Sequence, residues 1–193
     1  MIALFGKLPA RRDFIARDVP NPVLEVVEPF LQGGLAQSRE SLGKGWLDAY
    51  LAAPMWRFWW ARPLAGVGIA GVMMPSVDRV GRYFPLLAMA LAPRRRDIAL
   101  PSASDDAWYL ALETALLDAL DDSAALDDLL ARLATLPAAP PLAPEGAALT
   151  GSLWWTLGGT GMAPRRAAYA GFPPPAAFAE LLFCAADKAE PAP

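Results

Sequence analysis

Between residues 74 and 86 the chain reads Met74-Pro75-Ser76-Val77-Asp78-Arg79-Val80-Gly81-Arg82-Tyr83-Phe84-Pro85-Leu86. This stretch sets a hydroxyl, a carboxylate, two guanidiniums and a phenol between two apolar runs. A plain connector needs only residues suited to turns, such as Gly, Asn, Asp or Ser. Two arginines beside an aspartate ask for more. The planar guanidinium fork matches carboxylate or phosphate. Asp78 with Arg79 or Arg82 therefore forms either an ion pair that pins the connection or a polar docking surface, with Tyr83 at its edge. Ser76 could be a nucleophile only beside an activating base. The chain has no histidine, so Lys7 or a carboxylate would have to serve, and a turn-forming hydroxyl is the simpler reading.

A second charged stretch, Lys7-Leu8-Pro9-Ala10-Arg11-Arg12-Asp13, follows the apolar run Ile2 to Phe5 and Gly6. Lys7, Arg11 and Asp13 either lie in a solvated loop or extend the charged surface of 74–86, if both loops gather at one edge of a sheet. Arg57 sits within Trp56-Arg57-Phe58-Trp59-Trp60. Adjacent residues of a strand point to opposite faces, so Trp59 and Trp60, like Trp154 and Trp155, are expected to pack on two different layers. An exposed Trp beside Arg57 would instead anchor an interface.

Composition removes several function classes. Without histidine there is no imidazole base, Ser-His-Asp triad or histidine metal site. The single cysteine, Cys184, allows no intrachain disulfide and no thiolate zinc site. It falls in an apolar helical pattern and reads as a small buried hydrophobe. No cofactor is called for. The net charge of −3 argues against nucleic acid, which wants a basic face, and Arg94-Arg95-Arg96 reads as a solvated strand end. No uncharged apolar run reaches the roughly 18 residues of a membrane span, and the N-terminus lacks the pattern of a signal peptide. The expectation is a soluble, non-exported protein with no membrane insertion.

The elements that must position these residues follow from periodicity. Ile2 to Phe5 suits a buried strand. Asn21 before Pro22 marks a helix start. Val23, Val27, Leu31, Leu35 and Leu42 continue one face, Pro29 is expected to kink or restart the helix, and Gly43 to end it. Trp46 to Leu51 predicts a short helix. Residues 56–60, 66–74 and 83–91 predict three strands in an antiparallel meander, with 74–86 connecting the last two. Ser104 and then Asp122 or Ser123 are read as caps of two further helices. Residues 137–146 read as an extended Pro/Ala-rich linker, Leu153 to Leu157 as a late strand, Gly158-Gly-Thr-Gly161 as a turn, and Pro175 to Ala186 as a last helix. The result is an α/β chain whose mixed, largely antiparallel sheet is covered by helices. Residues 1–187 form a single domain: a motif-bearing part over 1–92, a helical insertion and linker over 93–150, and a returning strand and helix over 151–187. Residues 188–193 are a tail.

Four segments together resemble the TagF (ImpM) family of type VI secretion-associated proteins. They are Phe5-Gly-Lys-Leu-Pro-Ala-Arg-Arg-Asp-Phe14, Trp46-Leu-Asp-Ala-Tyr-Leu-Ala-Ala-Pro-Met-Trp-Arg-Phe58, Gly71-Val-Met-Met-Pro-Ser-Val-Asp-Arg-Val-Gly-Arg-Tyr-Phe-Pro-Leu86 and Ser152-Leu-Trp-Trp155. The family's first motif usually has Gly before its Asp-Phe pair, where this chain has Arg12. If that Gly serves a positive φ, Arg12 is strained. The resemblance implies a three-layer α/β/α sandwich and regulation in place of catalysis: a cytoplasmic accessory protein that represses the secretion system post-translationally by binding its forkhead-associated scaffold protein. On that reading Lys7, Arg11, Asp13, Arg57, Ser76, Asp78, Arg79, Arg82 and Tyr83 are the candidate partner-binding residues. The alternatives are a structural subunit of the apparatus, and a hydrolase built on Ser76, Asp78 and Lys7.

Overall fold

The computed structural model describes residues 2–121, 125–159 and 162–182. Seven strands form one sheet in the order β2-β1-β5-β4-β3-β6-β7. They are β1 (Ile2–Gly6), β2 (Ile15–Arg17), β3 (Trp56–Trp60), β4 (Ile69–Met74), β5 (Leu86–Leu91), β6 (Ser152–Thr156) and β7 (Arg165–Tyr169). The β3–β4–β5 meander forms as its spacing predicts, and the late strand β6 returns to pair with β3. The expected mixed sheet is corrected: every strand pair among the described residues is antiparallel. Each central strand follows its neighbour through a reversal or a return from the opposite end, so no parallel crossover is needed.

Alternation along the strands separates two cores. Phe5, Trp56, Phe58, Trp60, Met73, Met89 and Trp154 face one side. There they meet Val23, Val27, Leu31 and Leu35 of α1 (Asn21–Leu42), together with Trp46 and Tyr50 of α2 (Trp46–Ala52). Leu4, Trp59, Val72, Met74, Leu86 and Ala88 face the other side. They meet Trp108, Leu112 and Leu116 of α4 (Asp106–Asp118) and Leu129 and Leu133 of α5 (Leu126–Ala134). Helices thus cover both faces of the sheet, with the short α3 (Arg62–Ala65) and α6 (Pro175–Leu182) on the α1 side. Adjacent Trp59 and Trp60 enter opposite cores, as strand geometry requires. Among the described residues no helix is long and apolar enough to cross a membrane.

Local signals differ from the outcome in instructive places. Pro20 holds the cap position of α1, with Asn21 inside the helix and no side-chain cap. Pro29 neither ends nor restarts α1, which runs unbroken to Leu42; burial of Val23, Val27 and Leu31 on one stripe outweighs the missing N–H. The helix cap expected at Ser104 is Ser102, in a capping box with Asp105 that opens a short 3₁₀ turn before α4. Strands β2 and β7, both at sheet edges, carry too little apolar alternation to be read as strands. Residues 137–146 lack helix, but they are pinned by Ile98 pairing with Leu142 and by burial of Ala143. Asp122, Ser123, the second half of the 158–161 turn, Cys184, the expected end of the last helix and the tail lie outside the described residues.

Register brings the end of β1 and both ends of the meander connection together. Gly6 pairs with Leu86, Leu86 with Met74, and Met73 with Trp56. The loops after β1 and after β4 therefore leave the sheet at the same end. Gly6 makes this possible. Its φ is +135°, and a Cβ there would lie 2.0 Å from the Pro85 carbonyl oxygen. Gly6→Ala is expected to lower the chemical denaturation midpoint by the equivalent of about 2 kcal/mol or more, from backbone strain and steric clash together. An unchanged midpoint would contradict this account of the loop junction.

Candidate functional site

Asp78 is the centre of the shared sheet end. Its side chain is fully buried, and Lys7 Nζ donates to its Oδ2 at 2.5 Å from a side chain that is only 4% exposed. Arg82 Nε donates to the same oxygen at 2.6 Å, from a side chain 58% exposed. The backbone N–H groups of Val80 and Arg82 donate to Oδ1 at 3.0 and 2.8 Å. The carboxylate thus accepts four hydrogen bonds. Burial by itself would raise its pKa, but the Lys7 hydrogen bond and the Arg82 and Val80 donors override that, and Asp78 is held well below the usual carboxylate range. Near neutral pH it is therefore an anion.

The same cluster ties two loops 71 residues apart in sequence. Arg79 N–H donates to the Arg11 carbonyl at 2.9 Å, and the Arg82 guanidinium donates to the Arg12 carbonyl. Lys7 Nζ also lies 4.3 Å from the centre of the Phe14 ring, and Phe14 packs edge-on to Phe84. Arg12 does not adopt a positive φ, so the exchange of Gly for Arg introduces no backbone strain there.

Ser76 is buried beneath this layer. Its backbone N–H donates to Tyr50 Oη at 3.0 Å, and Tyr50 Oη donates to the Ser76 carbonyl at 2.9 Å. Burial raises the Tyr50 pKa, so its phenol stays neutral and can donate. The Ser76 hydroxyl itself is buried with no hydrogen-bond partner among the described residues. Among the described residues no base is hydrogen-bonded to it, and Lys7 Nζ donates to Asp78 instead.

The candidate residues thus divide. Lys7, Ser76 and Asp78 are interior. Arg11, Asp13, Arg79 and Arg82 are exposed around them, and Tyr83 is half-buried against Trp46 and Tyr50. The solvated-loop reading of Lys7 is corrected, and the two loops do adjoin. Asp78 takes Lys7 and Arg82 as partners, and the Arg79 side chain makes no ion pair with it.

Arg57 lies elsewhere. It is 2% exposed on the α4 face of β3. Nε and Nη2 bind both oxygens of Glu113 at 2.7 and 2.9 Å, and Nη1 binds Asp106 at 2.9 Å. Its guanidinium lies 5.4 Å from the centre of the Tyr109 ring. Burial opposes its charge, but the Glu113 hydrogen bonds and both carboxylates prevail and raise its pKa. Arg57 fastens α4 to the sheet and offers nothing to a docking surface. Sequence reasoning missed its partners, although Asp106, Tyr109 and Glu113 fall on one helical stripe of α4 and a carboxylate there asks for a buried cation. Tyr50 was missed as well; its role depends on a contact across 26 residues.

Comparison with known proteins places this arrangement in context. Residues 3–136 match the family model described as the TagF N-terminal domain, type VI secretion system-associated. The crystal structure of PA0076 from Pseudomonas aeruginosa PAO1 is similar over 95% of this chain and 94% of that one, with a TM-score of 0.83 and 35% identity. No curated protein matches this sequence.

The energetic weight sits on the fully buried Lys7–Asp78 pair; the exposed Arg82 arm adds about 0–1 kcal/mol. Asp78→Asn leaves Lys7 charged and without its counter-ion, and is expected to cost about 3–5 kcal/mol of stability in urea unfolding. Because the folded pKa of Asp78 is depressed, its contribution is complete above the unfolded value of about 3.9. It is lost as pH falls toward the folded value. Stability of the wild type should therefore fall more steeply below about pH 5 than that of Asp78→Asn; parallel pH profiles would contradict the assignment.

Proposed function

The chain belongs to the TagF family of type VI secretion-associated proteins, and on that premise we propose that it is a cytoplasmic accessory protein that represses the secretion system post-translationally by binding its forkhead-associated scaffold. One observation carries the reading. The buried Lys7–Asp78 pair, with the exposed Arg82, joins two of the motif-bearing loops into a single surface, with Arg11, Arg12 and Arg79 exposed on it. A binding surface needs side chains held in fixed relative positions, since ordering them on association costs about 0.5–1.5 kcal/mol for each mobile side chain. The cluster fixes the backbone of both loops in advance.

The same chemistry favours binding over hydrolysis. Asp78 is an anion near neutral pH, Lys7 is neutralised by it, and among the described residues no base is hydrogen-bonded to the Ser76 hydroxyl. A serine hydrolase needs a nucleophile hydrogen-bonded to its activating group.

The test has two arms. Purified chain is expected to capture the forkhead-associated scaffold from the same cell, and deletion of the gene is expected to raise release of secreted type VI substrate while overproduction lowers it. Failure to capture the scaffold sinks the proposed partner. Loss of secretion on deletion would point instead to a structural subunit of the apparatus.

A further inference from the structure

Beside the charged cluster lies an open cleft of about 280 Å³, walled by Pro9, Leu51, Val77 and Leu120. Ser76 and Tyr50 also line it. Leu51 is 61% exposed and Leu120 38% exposed at its lips. These are large apolar side chains held in water around a concavity, a pattern that marks interaction surfaces when it is contiguous. The Ser76 hydroxyl is buried and has no hydrogen-bond partner among the described residues.

Charge selects the ligand. Pro9 and Val77 are each two residues from an exposed arginine, Arg11 and Arg79, and those loops are joined by the Arg79 N–H bond to the Arg11 carbonyl. Arg12 is exposed next to them. Asp78 is buried and already fully bonded, which leaves Asp13 as the exposed acid of the two loops. On the opposite rim Asp48 is exposed one turn before Leu51. The exposed arginines thus gather on the Pro9–Val77 side of the cleft.

We propose that this cleft seats a peptide segment of the partner protein that carries one apolar anchor side chain, leucine-sized, with acidic residues on one side of it. The anchor fills the space between Leu51 and Leu120, and the acidic residues lie over Arg11, Arg12 and Arg79. The inference rests on the reading of this sheet end as a protein-docking surface, and it names the chemistry that the partner must present there.

Blocked heptapeptides with a central leucine and glutamates on one side only, in both chain directions, are the probes. They are titrated into nitrogen-labelled full-length protein while amide signals are followed. At least one direction should shift the amides of Leu51, Ser76 and Leu120. Replacing the peptide's leucine by alanine should weaken binding about tenfold, and Leu51→Asp in the protein should do the same. Replacing the glutamates by lysines should abolish binding, and the acidic peptides should bind less well as salt is raised. Unmoved amides at millimolar peptide, or equal binding of the lysine peptides, would overturn the proposal. Scaffold capture is measured in parallel with the wild type and Leu51→Asp. Capture by both proteins with no peptide binding removes the cleft and leaves the repressor reading standing. Peptide binding without scaffold capture keeps the cleft and removes the named partner.

Discussion

The buried contact between Lys7 and Asp78 is the interaction on which the rest of this end of the molecule depends. Two full charges are taken out of water at a cost of several kcal/mol each, and their attraction offsets that cost only when geometry is close and the remaining lone pairs are satisfied. Both conditions hold: the ions are 2.5 Å apart, and Asp78 takes further donors from Arg82 and Val80. Because removing one partner strands the other, the pair enforces the relative position of two loops that the chain itself does not connect.

The sheet makes that contact available. Antiparallel register brings Gly6, Leu86 and Met74 to one line, and the positive φ of Gly6 lets β1 pass against the Pro85 carbonyl before Lys7 turns inward. A second buried cation does a different task on the opposite face. Arg57 grips Glu113 through a bidentate fork and reaches Asp106 as well, fixing α4 across the sheet. In both cases a buried ion pair does what apolar packing does elsewhere. Both clusters reach the surface through one exposed arm, but the arms differ in charge: Arg82 leaves a guanidinium in water, and Asp106 leaves a carboxylate.

That contrast bears on function. A site meant for proton transfer needs a group whose pKa lies near the working pH, and Asp78 is driven the other way. A surface meant for recognition needs fixed shape and uneven charge. The exposed arginines near Pro9 and Val77 lie on two loops that carry family motifs, and the exposed Leu51 and Leu120 line the same cleft from α2 and from just after α4.

Much of this was legible in the sequence. Helical spacing located α1 and α2, and apolar runs of strand length located the three-strand meander and the late strand, because the burial that sets those patterns is local to each element. Adjacent Trp59 and Trp60 foretold two cores for the same reason. The chemistry of residues 74–86 marked the site, since a carboxylate among arginines is seldom a bare connector. What the sequence could not assign was partnership. Lys7 over Arg79 as the mate of Asp78, Glu113 as the mate of Arg57, and Tyr50 as the clamp on Ser76 are contacts across 71, 56 and 26 residues. The weak edge strands β2 and β7 form for a similar reason, because a neighbouring strand offers them hydrogen bonds that their own side chains do not advertise. One-dimensional pattern reports which face of an element is buried. Only the assembled sheet decides which charges share that burial, because the free energy of an ion pair depends on distances that the chain acquires when it folds.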